Sequence, residues 1–257
     1  MTQRLIFSSL VLGVAIALAV PVVFGDEVPV RPNGPPPSNE KPAGLPKAVI
    51  DGTGPGWIPL GKDDLVNTDA NKDAWTWQQD VLHCSGKASL IRSKKNYANF
   101  ELILEWRLQT VAGNSGIFVW ADEKSLASLK PRGAPVSIEV QILDHAYANE
   151  YEKKQGQKSD WFTTHGDVFA VEGAKMTPFP PVGARGMRSF PRKNLSKGAG
   201  EWNHYYIRAI NGEIRLWVNG EEVSGGTDIT PRSGYLCLEG GYPSLVDFRN
   251  IRIRELP

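Results

Sequence analysis

Alternation of apolar and polar side chains runs through the second half of the chain and restricts its fold more than any other feature. A period of two is that of a β-strand with one buried face. Asn-Gly pairs at 211–212 and 219–220 favour type I′ turns, so residues 202–223 are predicted to form a three-stranded meander. The alternating segments are GNSGIFVW (113–120), VSIEVQILDH (136–145), THGDVF (164–169), GEWNHYYI (200–207), EIRLWVNGEEVSGG (213–226), GYLCLEGG (234–241) and DFRNIRIREL (247–256).

Ten strands in about 200 residues fit an all-β fold of two antiparallel sheets packed face to face, as in a jelly-roll sandwich. A short helix is predicted over Glu123–Leu129, and 146–163 is predicted as a loop. Residues 172–199 lack periodicity, and a loop of that length is usually functional or mobile. The predicted strands are Trp75–Gln78, Val81–Ser85, Phe100–Leu108, Gly116–Trp120, Ser137–Leu143, Asp167–Val171, Trp202–Ile210, Glu213–Val218, Tyr235–Leu238 and Val246–Glu255.

The amino terminus has the pattern of a targeting segment. Arg4 precedes the apolar run Leu5–Val20, and short residues come just before Asp26. This pattern predicts a signal peptide and a secreted or periplasmic protein; left uncleaved, the same segment would anchor the chain in a membrane. Residues after it are rich in Pro and cannot form a core. The predicted organisation is a signal peptide (1–25), a Pro-rich linker (26–54) and one jelly-roll domain (55–257).

Charge and aromatic content narrow the class of partner. The 257 residues carry a net charge of +1 without a basic patch, which argues against nucleic acid. Eight Trp and 26 Gly are many for one chain. Indole rings stack on the apolar faces of sugars, although each Trp is also a normal core residue. A sheet with polar and aromatic side chains on one face therefore points to a carbohydrate site.

The segment 138–144 holds the most informative carboxylate. Glu139, Gln141 and Leu143 share one face of the predicted strand, and the alternate residues form its apolar face. The apolar face should pack on the opposite sheet, which leaves Glu139 and Gln141 in the cleft; a structural ion pair is the alternative for Glu139. A retaining glycosidase needs a second carboxylate about 5 Å away. Leu143 is not one, and Asp144 reaches this face only through a β-bulge.

Other candidate site residues combine a reactive or polar side chain with a position next to a loop or a strand end. His165 lies between Thr164 and Gly166, where it suits a rim and could act as an acid or base; a surface His is the alternative. Small polar residues such as Asn114 open a strand and either bind a ligand or serve a turn. The proposed substrate-binding residues are Asn114, Gln141, Trp120, Arg107, Trp161 and Glu239, with Trp120 and Trp161 as stacking surfaces.

The sequence leaves a metal site and a disulfide open. The four His are scattered without short metal-ligand spacing, so zinc is weakly supported. A divalent ion held by carboxylates and His from separate strands is not excluded. Cys84 and Cys237 are the only cysteines. Export would allow a disulfide between them, whereas adjacent-strand geometry often disfavours one.

Six segments together resemble the family of 3-keto-disaccharide hydrolases, in the family's order and over about residues 55–257. They are GNSGIF, IEVQILD, HGDVF, GEWNHY, VNGEEVSGG and FRNIRIREL. The resemblance implies a concanavalin A-like jelly roll that acts on glycosides oxidised at C3. The chain departs from the family after Leu238-Glu239, where Gly240-Gly241-Tyr242 replaces the acidic residue or His that members commonly carry.

The implied chemistry is elimination. A ketone at C3 acidifies the C2 hydrogen, so a base can remove it while the C1 substituent leaves, and water then adds across the double bond. On this basis Glu139 and His165 are the proposed acid/base groups, with Asn114, Gln141 and Arg107 as binders. Two other functions stay open: a non-catalytic carbohydrate-binding module, and an ordinary glycoside hydrolase, for which a bulge carrying Asp144 would be decisive.

Overall fold

The structure is a computed structural model and describes residues 49–68, 71–87 and 90–257. The predicted signal peptide and most of the predicted linker lie outside these residues and stay predictions. Near the start of the described residues, the carbonyl oxygen of Ile50 accepts a hydrogen bond from His204 Nε2 at 3.0 Å. In this part of the chain, no helix has the length and apolarity needed to cross a membrane.

Strands dominate the described residues, which form sixteen of them with two α-helices. The strands are β1 (Trp57–Pro59), β2 (Leu65–Asn67), β3 (Trp75–Gln78), β4 (Val81–Cys84), β5 (Leu90–Tyr97), β6 (Phe100–Leu108), β7 (Asn114–Ala121), β8 (Ser137–Leu143), β9 (Val168–Val171), β10 (Lys175–Pro178), β11 (Arg188–Ser189), β12 (Asn203–Ile210), β13 (Glu213–Val218), β14 (Glu221–Thr230), β15 (Gly234–Glu239) and β16 (Val246–Glu255). The helices are α1 (Glu123–Ala127) and α2 (Tyr147–Gln155), and Lys72–Ala74 is one 3₁₀ turn.

These strands form two antiparallel sheets. The back sheet has the order β10-β14-β13-β12-β6-β16-β4-β3, with β1 paired to β16, and the front sheet has the order β11-β9-β8-β7-β15-β5-β2. The predicted meander is β12-β13-β14, which is antiparallel throughout. The all-β, two-sheet sandwich is therefore confirmed.

The core lies between the sheets and follows the alternation in the sequence. Ile138, Val140 and Ile142 of β8 are fully buried in it. Tyr205 of the back sheet crosses the core, and its hydroxyl donates to the carbonyl oxygen of Gln141 at 2.9 Å. Burial of one β8 face in this core holds the other face, with Glu139, toward the outside of the front sheet.

Several regions differ from the sequence-based expectation, among them the short strands β1 and β2, which were not predicted. The segment 146–163 contains α2, and 172–199 contains the short strands β10 and β11. Strand β5 was not predicted, because its second half (SKKNY) has three exposed residues in a row rather than an alternating pattern. It nevertheless pairs with both β15 and β2, so tertiary pairing outweighs its local sequence.

The two cysteines are buried thiols on different sheets and form no disulfide. Cys84 lies in the core between the sheets, and its thiol donates to the carbonyl oxygen of Gly240 at 3.6 Å. Cys237 belongs to a separate apolar cluster with Phe118 and Leu90. Burial raises the pKa of the Cys237 thiol to about 12, so this sulfur is a packing group at neutral pH.

Candidate active site

A pocket of about 230 Å³ lies on the outer face of the front sheet. Its polar lining residues are Asn114, Glu139, Gln141, Arg188 and Glu239. Aromatic side chains form its walls, namely Phe118, Tyr147, Tyr151, Trp161, Phe162 and Phe169. An enclosure of aromatic walls with a few polar groups on its floor is typical of a small-molecule site.

Three neighbouring strands build the floor of the pocket. Glu139 and Gln141 on β8 lie opposite Phe118 and Gly116 of β7. Strand β15 pairs with the other side of β7 and ends at Glu239. Two carboxyl groups therefore flank β7 on the same face of the sheet, as the alternation predicts for Glu139.

Gly116 leaves the space that the Glu139 side chain occupies. A Cβ atom at position 116 would lie only 2.9 Å from Glu139 Oε1 and 3.3 Å from its Cγ. The carboxyl group thus extends over β7 toward the β15 side. No other residue type at position 116 would allow this placement without moving the carboxyl group.

Gly116→Ala is expected to lower turnover about 10-fold, because the added methyl group displaces the Glu139 carboxyl from its position. Only the flexible end of one side chain must move, so Tm should change by about 2 °C or less. Gly54→Ala is the matched control, since a Cβ there meets nothing closer than Trp57 at 3.9 Å. Equal activity in both variants would show that the position of the carboxyl group does not matter.

The two carboxyl groups are a coupled pair with raised pKa values. Burial raises the pKa of Glu239 to about 7. Burial is the main cause that raises the pKa of Glu139 well above its ordinary value, and the negative charge of the nearby Glu239 is the second cause. Glu139 is 8% exposed, and Glu239 Oε2 is buried without a hydrogen-bond partner. Burial therefore favours the protonated form of both carboxyl groups, and the charge of one disfavours ionisation of the other.

Arg188 supplies the positive charge of the pocket. Its guanidinium carbon lies 3.4 Å from the centroid of the Phe169 ring, and Nη1 donates to Gln141 Oε1 at 3.3 Å. The same nitrogen lies 3.5 Å from Asp167 Oδ2. Arg188 thus interacts with Asp167 below the pocket, with the Gln141 amide on its floor, and electrostatically with Glu139.

Hydrogen bonds fix the amide of Gln141. Its Nε2 donates to Asn114 Oδ1 at 3.0 Å and to the carbonyl oxygen of Ser115 at 3.1 Å. These two acceptors, with Arg188 as the donor to Oε1, settle which way the amide points. Gln141 and Asn114 therefore line the pocket in a fixed arrangement, where the sequence had placed them.

The His165-Gly166-Asp167 motif brings Asp167, not His165, to the site. Asp167 is fully buried beside Arg188 and accepts from Thr163 N at 2.8 Å. Burial raises its pKa to about 6. His165 does not line the pocket; its Nδ1 lies 2.8 Å from Ser196 Oγ. Burial and then His145 lower the pKa of His165 to about 4, so its imidazole is neutral near pH 7.

Arg107 lies on the back sheet, on the opposite side of the sandwich from the pocket. Its guanidinium pairs with Asp247 at 2.7 Å and lies 4.6 Å from the Trp202 ring centroid. The strand alternation was read correctly, but the sheet to which β6 belongs could not be read from the segment itself. The expectation that Arg107 joins the other site residues is wrong.

Trp120 is a core residue and does not line the pocket. Its side chain is fully buried against Phe100, and Nε1 donates to the carbonyl oxygen of Ala98 at 2.7 Å. Asn114, Gly116 and Phe118 face the pocket, but Trp120, at the end of β7, has a positive φ of 57° that breaks this alternation. Trp161, by contrast, lies in the pocket wall.

Trp120→Phe is expected to lower the free energy of unfolding by about 2–3 kcal/mol, because it leaves a small cavity and an unpaired Ala98 carbonyl. Sugar binding by the folded protein should be unchanged. Trp161→Phe is the comparison, and it should weaken binding with a smaller loss of stability. Chemical denaturation measures the stability and calorimetric titration measures the sugar binding. Weaker binding by Trp120→Phe would show that Trp120 contributes to the site.

The amino-acid sequence matches one known protein family. The profile of a family described as the 3-keto-alpha-glucoside-1,2-lyase-like domain matches residues 48–254. The chain belongs to this family. No protein with a curated description matches the chain.

Solved structures share the fold. Two candidate glycosyl hydrolases of Parabacteroides distasonis are similar to the chain. One is 26% identical with a TM-score of 0.53, covering 78% of this chain and 99% of that one. The other is 21% identical with a TM-score of 0.54, covering 79% and 89%. The lumenal domain of VIP36, solved with Ca²⁺ and Man3GlcNAc, is 9% identical with a TM-score of 0.50, covering 79% and 84%.

Gly241, two residues after Glu239, is packed closely against the start of β7. A Cβ atom at Gly241 would lie 1.6 Å from the carbonyl oxygen of Asn114. The backbone at 241 therefore touches the start of β7 so closely that no side chain fits.

Several lining residues were not identified from the sequence. Tyr147 and Tyr151 come from α2, where their i, i+4 spacing places them on one helix face. This spacing, with Gly156 at the carboxyl end, was the signal in the sequence from which the helix could have been predicted. Phe169 shares a strand face with Asp167, which was also readable. Phe162 lies outside the helices and strands and Arg188 lies in the two-residue strand β11, and neither carries a local signal in the sequence.

The described residues contain no group of three or more His, Cys, Asp or Glu side chains that could hold a metal ion. Asp144, which the sequence left as a second carboxylate, accepts from the backbone N–H groups of Ala112, Ala146 and Ala199. It is 5% exposed and ties three loops together. The pocket therefore offers Glu139, Glu239 and Arg188 as its charged groups.

Proposed function

We propose that this protein cleaves the glycosidic bond of 3-keto glucosides by elimination across C1 and C2, followed by addition of water. One observation carries the proposal. Glu139 and Glu239 flank β7 on the floor of a pocket with aromatic walls, and burial raises the pKa of both carboxyl groups. When such a pair carries one proton it contains one base and one acid, which are the two groups that elimination requires.

The proton and electron changes of the first step balance within this pair. The ionised carboxylate takes the proton from C2, the C2–H electrons form the C1–C2 double bond, and the C1–O bond breaks. The protonated carboxyl gives its proton to the departing oxygen. Water then adds at C1 with the reverse proton transfers, so that C2 regains a hydrogen and the pair returns to its starting state.

Arg188 is the group proposed to bind the C3 oxygen, on which negative charge develops when C2 loses its proton, and the Gln141 amide holds the Arg188 guanidinium in place. The described hydrogen bonds and ion pair of Arg188 use Nη1, which leaves its other N–H groups for a ligand. A fixed cation in a pocket shielded from water stabilises an enolate more than solvent does. The aromatic walls would hold the sugar ring over this floor.

An ordinary glycoside hydrolase and a non-catalytic binding module are the alternatives. The bulge that would have brought Asp144 to the pocket is not present, because Asp144 bonds three backbone N–H groups instead. Glu139 and Glu239 are then the carboxyl pair that a plain glycosidase would use. A carbohydrate-binding module would need the pocket but not its coupled carboxyls.

The test is incubation of the purified domain with a 3-keto disaccharide and, separately, with the same disaccharide before oxidation, with release of monosaccharide followed by chromatography. We expect release from the 3-keto substrate and at least about 100-fold slower release from the plain one. Faster cleavage of the plain disaccharide would favour the ordinary hydrolase. Binding of either sugar without any cleavage would favour the carbohydrate-binding module.

A further inference from the structure

A second pocket adjoins the active-site pocket. It has a volume of about 220 Å³ and shares Trp161, Phe169 and Arg188 with the first. The two pockets therefore adjoin each other at these three side chains, which are called the junction below. The indole N–H of Trp161, at this junction, has no acceptor among the described residues.

The second pocket differs from the first in chemistry. Its wall away from the junction is formed by Ala170, Val171 and Met187, with Arg185 and Glu172 as its charged members. Both of these charged residues are exposed, so they lie at the rim. A buried sugar ring carries a hydroxyl on most of its carbons, and each needs a hydrogen-bond partner. The second pocket offers few such partners inside its rim.

The residues of this wall come from one hairpin and one strand. The 181–190 hairpin is closed by the hydrogen bond from Gly183 N to the carbonyl oxygen of Arg188 at 3.0 Å, and it carries Met187. Met187 is 62% exposed, which is unusual for a side chain of this size and apolarity. An apolar ligand in the second pocket would cover part of that surface.

We infer that the second pocket binds the leaving group of the substrate and selects a flat, apolar one, such as an aryl or benzyl group, over a second sugar ring. This inference rests on the proposed function, which places the cleaved C1–O bond near Glu139 and Glu239 in the first pocket. A leaving group that extends past Trp161 would then lie in the adjoining pocket. A dry cavity of 150 Å³ accommodates benzene, so about 220 Å³ is enough for one aromatic ring.

The selectivity test compares benzyl, methyl and glucosyl 3-keto glucosides. All three release an alcohol, so their leaving-group acidities are similar and differences report the pocket. We expect kcat/KM for the benzyl substrate to exceed that for the methyl and glucosyl substrates by about 10-fold or more, the effect of one well-buried apolar group. Met187→Ser should lower the benzyl-to-methyl ratio about 5-fold or more.

Val182→Ser is the matched control on the same hairpin. Val182 is 41% exposed and lines neither pocket, so its substitution should leave the benzyl-to-methyl ratio unchanged. A parent protein that prefers the glucosyl substrate, or a Met187→Ser variant that keeps the parental ratio, would overturn the inference while the proposed function stands.

Calorimetric titration with unoxidised benzyl glucoside and methyl glucoside separates the inference from the proposed function. Binding requires no turnover, so the comparison is informative even if 3-keto glucosides are not cleaved. Tighter binding of the benzyl compound, lost in Met187→Ser but not in Val182→Ser, would support the second pocket by itself. Equal binding of both compounds would contradict it.

Discussion

Glu139→Gln is expected to lower kcat for a 3-keto glucoside by about 100-fold or more while the protein stays folded. The amide keeps the shape of the side chain over Gly116 but can neither take nor give the proton that the elimination requires. Glu239→Gln should have an effect of the same size, because each carboxyl depends on the other for its protonation state. Steady-state kinetics on the two variants measure both effects.

Leaving groups of different acidity separate the two roles. A p-nitrophenyl leaving group departs without a proton, so the variant that lacks the acid should recover most of its rate on that substrate. The variant that lacks the base should stay slow on every substrate. Activity within a few-fold of the parent in either variant would remove that residue from the mechanism.

The stability of the parent protein is expected to fall as the pH rises from about 5 to about 8. Burial raises the pKa of Glu239 to about 7 and that of Glu139 well above its ordinary value. Because these values are higher than in the unfolded chain, near 4.3, the carboxyls favour the folded state most below that value. Their contribution is lost as the pH passes through about 7. In Glu139→Gln the fall in Tm should be smaller; equal falls in Tm would show that Glu139 does not titrate in this range.

Arg188→Met is expected to reduce both activity and stability. Removal of the guanidinium leaves Asp167, which is fully buried, and Glu139 without their cation. Breaking a buried ion pair in this way lowers the free energy of unfolding by about 3–5 kcal/mol. Loss of a group that stabilises the developing oxyanion lowers kcat about 100- to 1000-fold. The stability loss should be smaller at pH 5, where the carboxyls take up protons.

The double variant Arg188→Met/Asp167→Asn separates the two effects. Asparagine removes the unpaired charge, so most of the stability should return, whereas the activity should not. Arg107→Met is a matched control on the back sheet, where Arg107 pairs with Asp247, which also contacts His83 and Gln109. The folded Arg107→Met protein should keep its kcat within about twofold. Recovery of activity in the double variant would mean that Arg188 only supports the fold.

The part of the site on β8 could be predicted because strand alternation is a local property. Ser137–Leu143 forms the strand at the predicted residues, and Glu139 and Gln141 lie on its outer face. Glu239, one of the predicted substrate-binding residues, also lines the pocket. Arg107 was placed wrongly because period two assigns a face but not the sheet. Trp120, predicted as a stacking surface, lies in the core because a positive φ at this residue breaks the alternation of β7.

The remaining groups are brought together by long-range packing. Arg188 contacts Gln141 across 47 residues and comes from a segment without periodicity. The segments GMRSF (186–190) and PRKN (191–194) both contain basic residues. Neither has a pattern that distinguishes Arg188, the one turned into the pocket, from the other basic residues of 172–199. His165 was predicted as an acid or base because imidazole titrates near neutral pH, but burial lowers its pKa to about 4 and raises that of the neighbouring Asp167 to about 6. Those shifts depend on the folded surroundings.

Hydrogen exchange at C2 tests elimination by the Glu139–Glu239 pair most directly. A 3-keto disaccharide is incubated with the protein in D₂O, and the released 3-keto sugar is analysed at early times by NMR, with the free 3-keto sugar incubated alongside as a control for exchange after release. Elimination followed by hydration removes the C2 hydrogen and returns one from solvent, so the released sugar should carry deuterium at C2. Released sugar that keeps its original hydrogen at C2 would show direct hydrolysis and contradict the proposed elimination.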